Sequence, residues 1–162
     1  MAVTEGTNAG FVTVAPDADP EGGGTAWVAG YAGAGKFSSP AGTNSISEIG
    51  AYYNTSVNNN FQLGIYSHDG ANNRPNALLA SHGDQSLGSS AGWKVGDVSY
   101  SLSASTTYWL ATQADDTSGN PLIDRDENAS YKYDYKEATA LPSPWEASAA
   151  TQGWIPAIYA LY

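Results

Sequence analysis

The chain has 162 residues, the length of one domain able to bury its own core. It has no cysteine, which excludes a disulfide framework and a thiolate metal site. Sixteen acidic residues against six basic ones give a net charge of −10, which argues against nucleic acid and anionic membrane surfaces, since lysine and arginine carry both kinds of binding.

Residues 1–24 carry Asn8, Gly10, Pro16, Pro20 and a Gly22-Gly23-Gly24 run around one apolar stretch, Phe11–Val14. This reads as an extended N-terminal arm with one short strand, and residues 25–162 read as a single domain. Thr25–Ala32 and Ser45–Tyr53 are predicted strands, and Gly50 inside the second marks a bulge or a close backbone approach. Phe61, Leu63 and Ile65 alternate strictly, so Phe61–Tyr66 is a strand with one apolar face.

Ser67–Asn76 is almost wholly turn residues, and Ala77–Ser81 resumes a strand. Trp93 and Val95, then Val98, Tyr100 and Leu102, alternate in two registers separated by a bend or bulge at Gly96-Asp97. Thr107–Gln113 is near-continuously apolar and β-branched or aromatic, as a central strand covered on both sides would be. A short strand begins at Leu122-Ile123. Ser130–Lys136 places Tyr131, Tyr133 and Tyr135 on one face and Lys132, Asp134 and Lys136 on the other. Leu141–Gln152 reads as a long loop and Trp154–Tyr162 as the last strand. Eight to ten short strands, with the helix formers apart from alanine scarce, predict an all-β antiparallel sandwich of jelly-roll type. Trp93 and Trp109 are expected to lie at the centre of its two stacked sheets.

No acid, base and nucleophile converge in the sequence, so the chain is not expected to be an enzyme. His68 and His82 lie among turn residues, with no Gly-x-Ser-x-Gly elbow to complete a triad. Glu48 is the one acid embedded in a strand pattern, and a solvent-facing glutamate explains it as well as catalysis does. The acidic positions Asp115, Asp116, Asp124 and Asp126 are candidates for a structural calcium site, because calcium takes six to eight oxygen ligands. Ordinary charged loops, with Arg125 as a counter-charge, are the competing reading. No other cofactor is expected.

Five tryptophans, eleven tyrosines and three phenylalanines exceed what a small core requires. Sugar rings stack on exposed aromatic planes, which makes Tyr131, Tyr133, Tyr135 and Trp145 the candidate ligand-binding residues. The alternatives for that face are the opposing sheet or a neighbouring subunit.

The runs FQLGIYSHDGANNRPNALLAS (61–81) and GWKVGDVSYSLSASTTYWLATQADDTSGNPLI (92–123) resemble a β-sandwich module of bacterial extracellular and tailed-phage virion proteins, similar to carbohydrate-binding-module jelly rolls. The opening MAVTEGTNAGFVTVAP lacks the basic and apolar regions of a secretory signal and resembles small free-standing phage structural proteins. These resemblances imply a non-enzymatic virion surface protein, either capsid decoration or tail-associated. It would assemble as a homo-oligomer, with a trimer expected, and contact other virion proteins or host glycans. An arm of about 24 residues reaches up to about 80 Å when extended, enough to cross a neighbouring subunit. The alternative is a carbohydrate-binding module of a secreted, extracellular protein, with Tyr133 and Trp145 as its platform.

Overall fold

The computed structural model describes residues 9–11, 30–42, 44–53, 59–115, 121–123, 125–127, 133–146, 150–152 and 154–162. Within them the chain forms β1 (Ala9–Phe11), β2 (Tyr31–Ser38), β3 (Asn44–Tyr53), β4 (Asn60–Asp69), β5 (Arg74–Ser86) and β6 (Gly92–Leu102). After these come β7 (Thr107–Ala114), β8 (Arg125–Glu127), β9 (Tyr133–Glu137), β10 (Ala150–Gln152), β11 (Trp154–Pro156) and β12 (Ile158–Leu161). No helix occurs among the described residues.

One sheet runs β1-β12-β3-β6 and the other β10-β9-β2-β7-β4-β5, while β8 and β11 form a separate two-stranded pair. All of the pairings are antiparallel. Counting only the eight principal strands in chain order gives 1-8-3-6 facing 2-7-4-5, the order that two Greek keys produce in a jelly roll. Strands β8–β11 are inserted between the seventh and last of these, and β9 and β10 widen the second sheet beyond β2. Of the predicted arm, Ala9–Phe11 pair with β12 of the same chain.

The layer between the sheets follows the sequence alternation. Phe61, Leu63 and Ile65 of β4 and Tyr108, Leu110 and Ala114 of β7 meet Ile46, Ile49, Ala51 and Tyr53 of β3, with Val98, Leu102, Ile158 and Ala160 beside them. Ile46 and Ile49 are three apart, which strict alternation would send to opposite faces. A register shift against β6 between Ile46 and Glu48 accommodates both. The shift falls within a residue of the bend predicted at Gly96-Asp97. Across the layer, the Tyr53 hydroxyl meets Thr112 Oγ1 at 2.7 Å, and Thr112 donates onward to the Gln62 carbonyl at 3.2 Å. Burial pushes the Tyr53 phenol above its ordinary range.

Neither Trp93 nor Trp109 lies in this layer, contrary to the sequence expectation. Tyr108 and Leu110 face inward, so Trp109 between them must face outward, and it is buried against the far side of the six-stranded sheet. Trp93 lies on the outer side of the four-stranded sheet with Tyr159 and Leu161. The predicted 67–76 loop is also shorter than expected: β4 and β5 continue to Asp69 and Arg74 around a tight turn at Gly70–Asn73. Asp69 Oδ1 accepts the N–H groups of Ala71 and Asn72 at 3.0 and 3.2 Å, and this capping lets so short a turn close. The last predicted strand is broken at Ala157 into β11 and β12, after Pro156, which has no N–H for a continuing ladder.

Candidate functional site

Trp145 is not at the surface. It has 0% exposure and anchors a strap, residues 138–146, across the outer face of the six-stranded sheet. Its ring stands edge-on to Tyr66 at 5.0 Å between centroids and 84° between planes, in a cluster with Ala32 and Ala34 of β2 and Ala111 of β7. The small alanines make room for two indoles, Trp109 and Trp145, on one sheet face. Backbone and side-chain hydrogen bonds fasten the strap along its length. Ala138 N–H donates to Gly30 O, Leu141 N–H to Gln62 Oε1, the Tyr66 hydroxyl to Pro142 O and Trp145 N–H to Asn76 O, each at 2.8 Å. Lys136 Nζ donates to the Trp145 carbonyl at 2.8 Å. A ring enclosed in this way has no face to offer a ligand from solution, which corrects its place among the stacking candidates.

Tyr135 is half-buried in β9 against the inter-sheet layer, its ring 6.0 Å from that of Tyr31. Tyr133 lies in β9 opposite Gly35 and Gln152, and its side chain is outside the described part of the structure, as is Tyr131. Asp134 and Lys136 face the strap, so the predicted alternation of this strand holds for residues 134–136. Of the calcium candidates, Asp115 Oδ1 accepts the Asn60 N–H at 3.2 Å. Asp116, Asp124 and the side chain of Asp126 lie outside the described residues. Among the described residues no group of three or more His, Asp or Glu is arranged to hold a metal. His82 rests on Gly96, with Nδ1 3.3 Å from the Asp97 carbonyl, where the edges of the two sheets meet. His68 Nδ1 accepts the Trp109 indole N–H at 3.1 Å.

Among the described residues, a cluster of aromatic rings reaches solvent on the other sheet. Trp93 of β6 is half-buried and stands edge-on to Tyr52 of β3 (5.5 Å, 81°) and to Tyr159 of β12 (5.2 Å, 66°). Tyr52 and Trp93 are direct cross-strand partners. Tyr159 comes from the strand on the far side of β3, and Gly50 is what allows it to reach. Tyr159 is paired opposite Gly50, and its ring lies in the space that a Cβ there would occupy. The close approach expected at Gly50 is therefore a side chain lying across bare backbone.

The Tyr159 hydroxyl donates to Glu48 Oε1 at 2.6 Å. Burial first, and the Glu48 carboxylate second, push that phenol above its ordinary range. Val95, opposite Gly50, is 48% exposed, and Asp97 stands opposite Glu48. The result is an open aromatic and aliphatic patch edged by two carboxylates, with no lysine or arginine at positions 48, 50, 52, 93, 95, 97, 159 or 161. Such a patch can stack on the C–H face of a ring and accept hydrogen bonds from hydroxyls. The sequence pattern contained Trp93 but gave no sign of which sheet face it would occupy.

Comparison of the chain with protein-family models, with curated proteins and with solved structures finds no match.

Proposed function

We propose that this chain is a non-catalytic binding module that attaches to a neutral glycan through the outer face of its four-stranded sheet. The observation that carries the reading is Trp93, held edge-on between Tyr52 and Tyr159 beside the half-exposed Val95. Rings locked by their neighbours lose little freedom when a ligand stacks on them, so the patch is pre-organised. Glu48 and Asp97 supply acceptors for sugar hydroxyls, and the net charge of −10 disfavours acidic polysaccharides. Affinity electrophoresis against neutral, amino and acidic polysaccharides tests this. Retention on a neutral polymer that is lost in Trp93→Ala is expected; migration unaltered by every polysaccharide overturns it.

A second reading takes the same patch as a contact between subunits. In that case the chain is a virion surface protein, capsid decoration or tail-associated, assembled as a homo-oligomer. Val95, the exposed large hydrophobic among the described residues, favours it, because exposed apolar side chains beside aromatic ones are typical of association surfaces. Light scattering separates the two: a monomer that binds glycan supports the first reading, and a trimer dispersed by Val95→Lys supports the second.

A further inference from the structure

A concavity opens at the end of the sandwich near the β4–β5 turn, away from the Trp93 patch. It has a volume of about 480 Å³ and is lined by Ser67, His68, Gly70, Leu79, Tyr100, Thr106, Thr107 and Tyr108. That volume lies in the range of small-ligand pockets.

Its floor is apolar and fixed. Tyr100 and Tyr108 meet edge-on with centroids 6.0 Å apart, and Tyr108 packs on Phe37 from the core side. The Tyr108 hydroxyl accepts the Ser103 N–H at 3.0 Å, which holds the ring in place. Around the floor stand hydroxyls with defined roles. Ser67 Oγ accepts the Ala77 N–H at 3.1 Å, leaving its own O–H to donate. The Thr106 hydroxyl donates to the Ala104 carbonyl at 3.0 Å, leaving its lone pairs to accept. Thr107 and Tyr100 complete the lining on the β6 and β7 side.

Among the described residues, no Asp, Glu, Lys or Arg lines the cleft. His68 adds no charge, because its Nδ1 must keep a lone pair to accept the Trp109 indole N–H. Burial, followed by the nearby Lys36, holds this imidazole below its ordinary value and so in the neutral form. The described lining offers an ionic ligand no counter-charge. An aromatic floor with a hydroxyl donor at Ser67 and a hydroxyl acceptor at Thr106 instead matches a molecule with both apolar faces and hydroxyls.

We infer that this cleft is a ligand site for a neutral, hydroxylated ring of single-sugar size. This cleft shares no residue with the Trp93 patch and would hold its ligand even if that patch bound nothing. The shared chemistry has two sources, a free monosaccharide or the terminal unit of a chain.

Gly70 gives the decisive variant. Gly70 lines the cleft and a Cβ there meets nothing within 4 Å, so Gly70→Trp puts a bulky side chain at the rim with no clash at its Cβ. The experiment is an amide chemical-shift titration with glucose, galactose, mannose, N-acetylglucosamine, linear maltohexaose and cyclic α-cyclodextrin. Saturable shifts at residues 67–70 and 100–108 are expected, with a Kd of about 1–10 mM. Free sugars acting alone identify the first source; the linear hexamer acting without the free sugars identifies the second. Affinity is expected to fall at least about tenfold in Gly70→Trp and in Tyr100→Ala, and to be unchanged in Trp93→Ala. Silence at these amides with every probe overturns the inference. So do unaltered affinity in Gly70→Trp with its melting temperature retained, or equal binding of the cyclic oligomer.

Discussion

The indole N–H of Trp145 donates to Oδ1 of Asp134 at 2.8 Å, with both residues at 0% exposure. A loop that carries two prolines thereby becomes part of the core, because its one large ring is enclosed by β9, β4 and the alanines of β2 and β7. Trp145→Ala is expected to cost about 3–5 kcal/mol through lost burial and the cavity left behind. Asp134→Ala is expected to cost about 1–3 kcal/mol, since it leaves the indole donor buried without its acceptor. The double variant should cost less than the sum, and urea unfolding of all three checks the coupling.

Gly50 and Tyr159 should prove as closely coupled. Adding a Cβ at residue 50 drives it into the Tyr159 ring, which Glu48 holds by its hydroxyl. Gly50→Ala is expected to cost about 1–3 kcal/mol. Combining it with Tyr159→Ala should recover part of that loss. Trp93 fluorescence should shift in Gly50→Ala, because the Tyr159 ring packed against it must move.

Stability should fall on mild acidification through His68. Its folded pKa lies below the ordinary 6.5, so the unfolded chain takes up the proton first. The contribution is complete above about pH 6.5, declines as pH drops through that value and levels off below the folded pKa. Urea midpoints of wild type and His68→Gln, compared between about pH 8 and pH 5, isolate it. The wild type should lose more than the variant over the acid half of that range, and parallel curves would count against the assignment.

Trp109 and Trp93 should respond differently to removal. Trp109→Ala is expected to cost about 3–5 kcal/mol, because the ring is wholly enclosed beneath the strap. Trp93→Ala should cost clearly less, as part of its surface already meets water, yet should reduce glycan retention at least about tenfold. Thermal melts and affinity electrophoresis on the same two proteins make the comparison.

The sequence made β3, β4, β6 and β7 legible but left strand faces ambiguous, and it misplaced β2, which runs over Tyr31–Ser38 rather than ending at Ala32. The alternation of Phe61, Leu63 and Ile65 fixed the inward side of β4, and the unbroken run Tyr108–Ala111 correctly marked a strand covered on both sides. What covers the second side of β7 is a segment about 30 residues further on, held by contacts such as Leu141 N–H to Gln62 Oε1, and no local pattern encodes those. Trp145 sits among prolines and small residues, a context that suggests exposure, and only the alanine floor supplied by distant strands buries it. For Trp93 the error ran the other way. A period of two assigns it to one of two faces, and the choice depends on the register shift near Ile46 and on the absence of a side chain at Gly50.

Ala9 sits opposite Leu161 in the pairing of β1 with β12, so the first and last strands leave the sandwich side by side. The start of β1 and the end of β12 therefore lie at a single spot on the rim. The body could be spliced into a host loop, or its ends joined and new ones opened at an exposed turn such as Gly70–Asn73, without parting any strand from its neighbour.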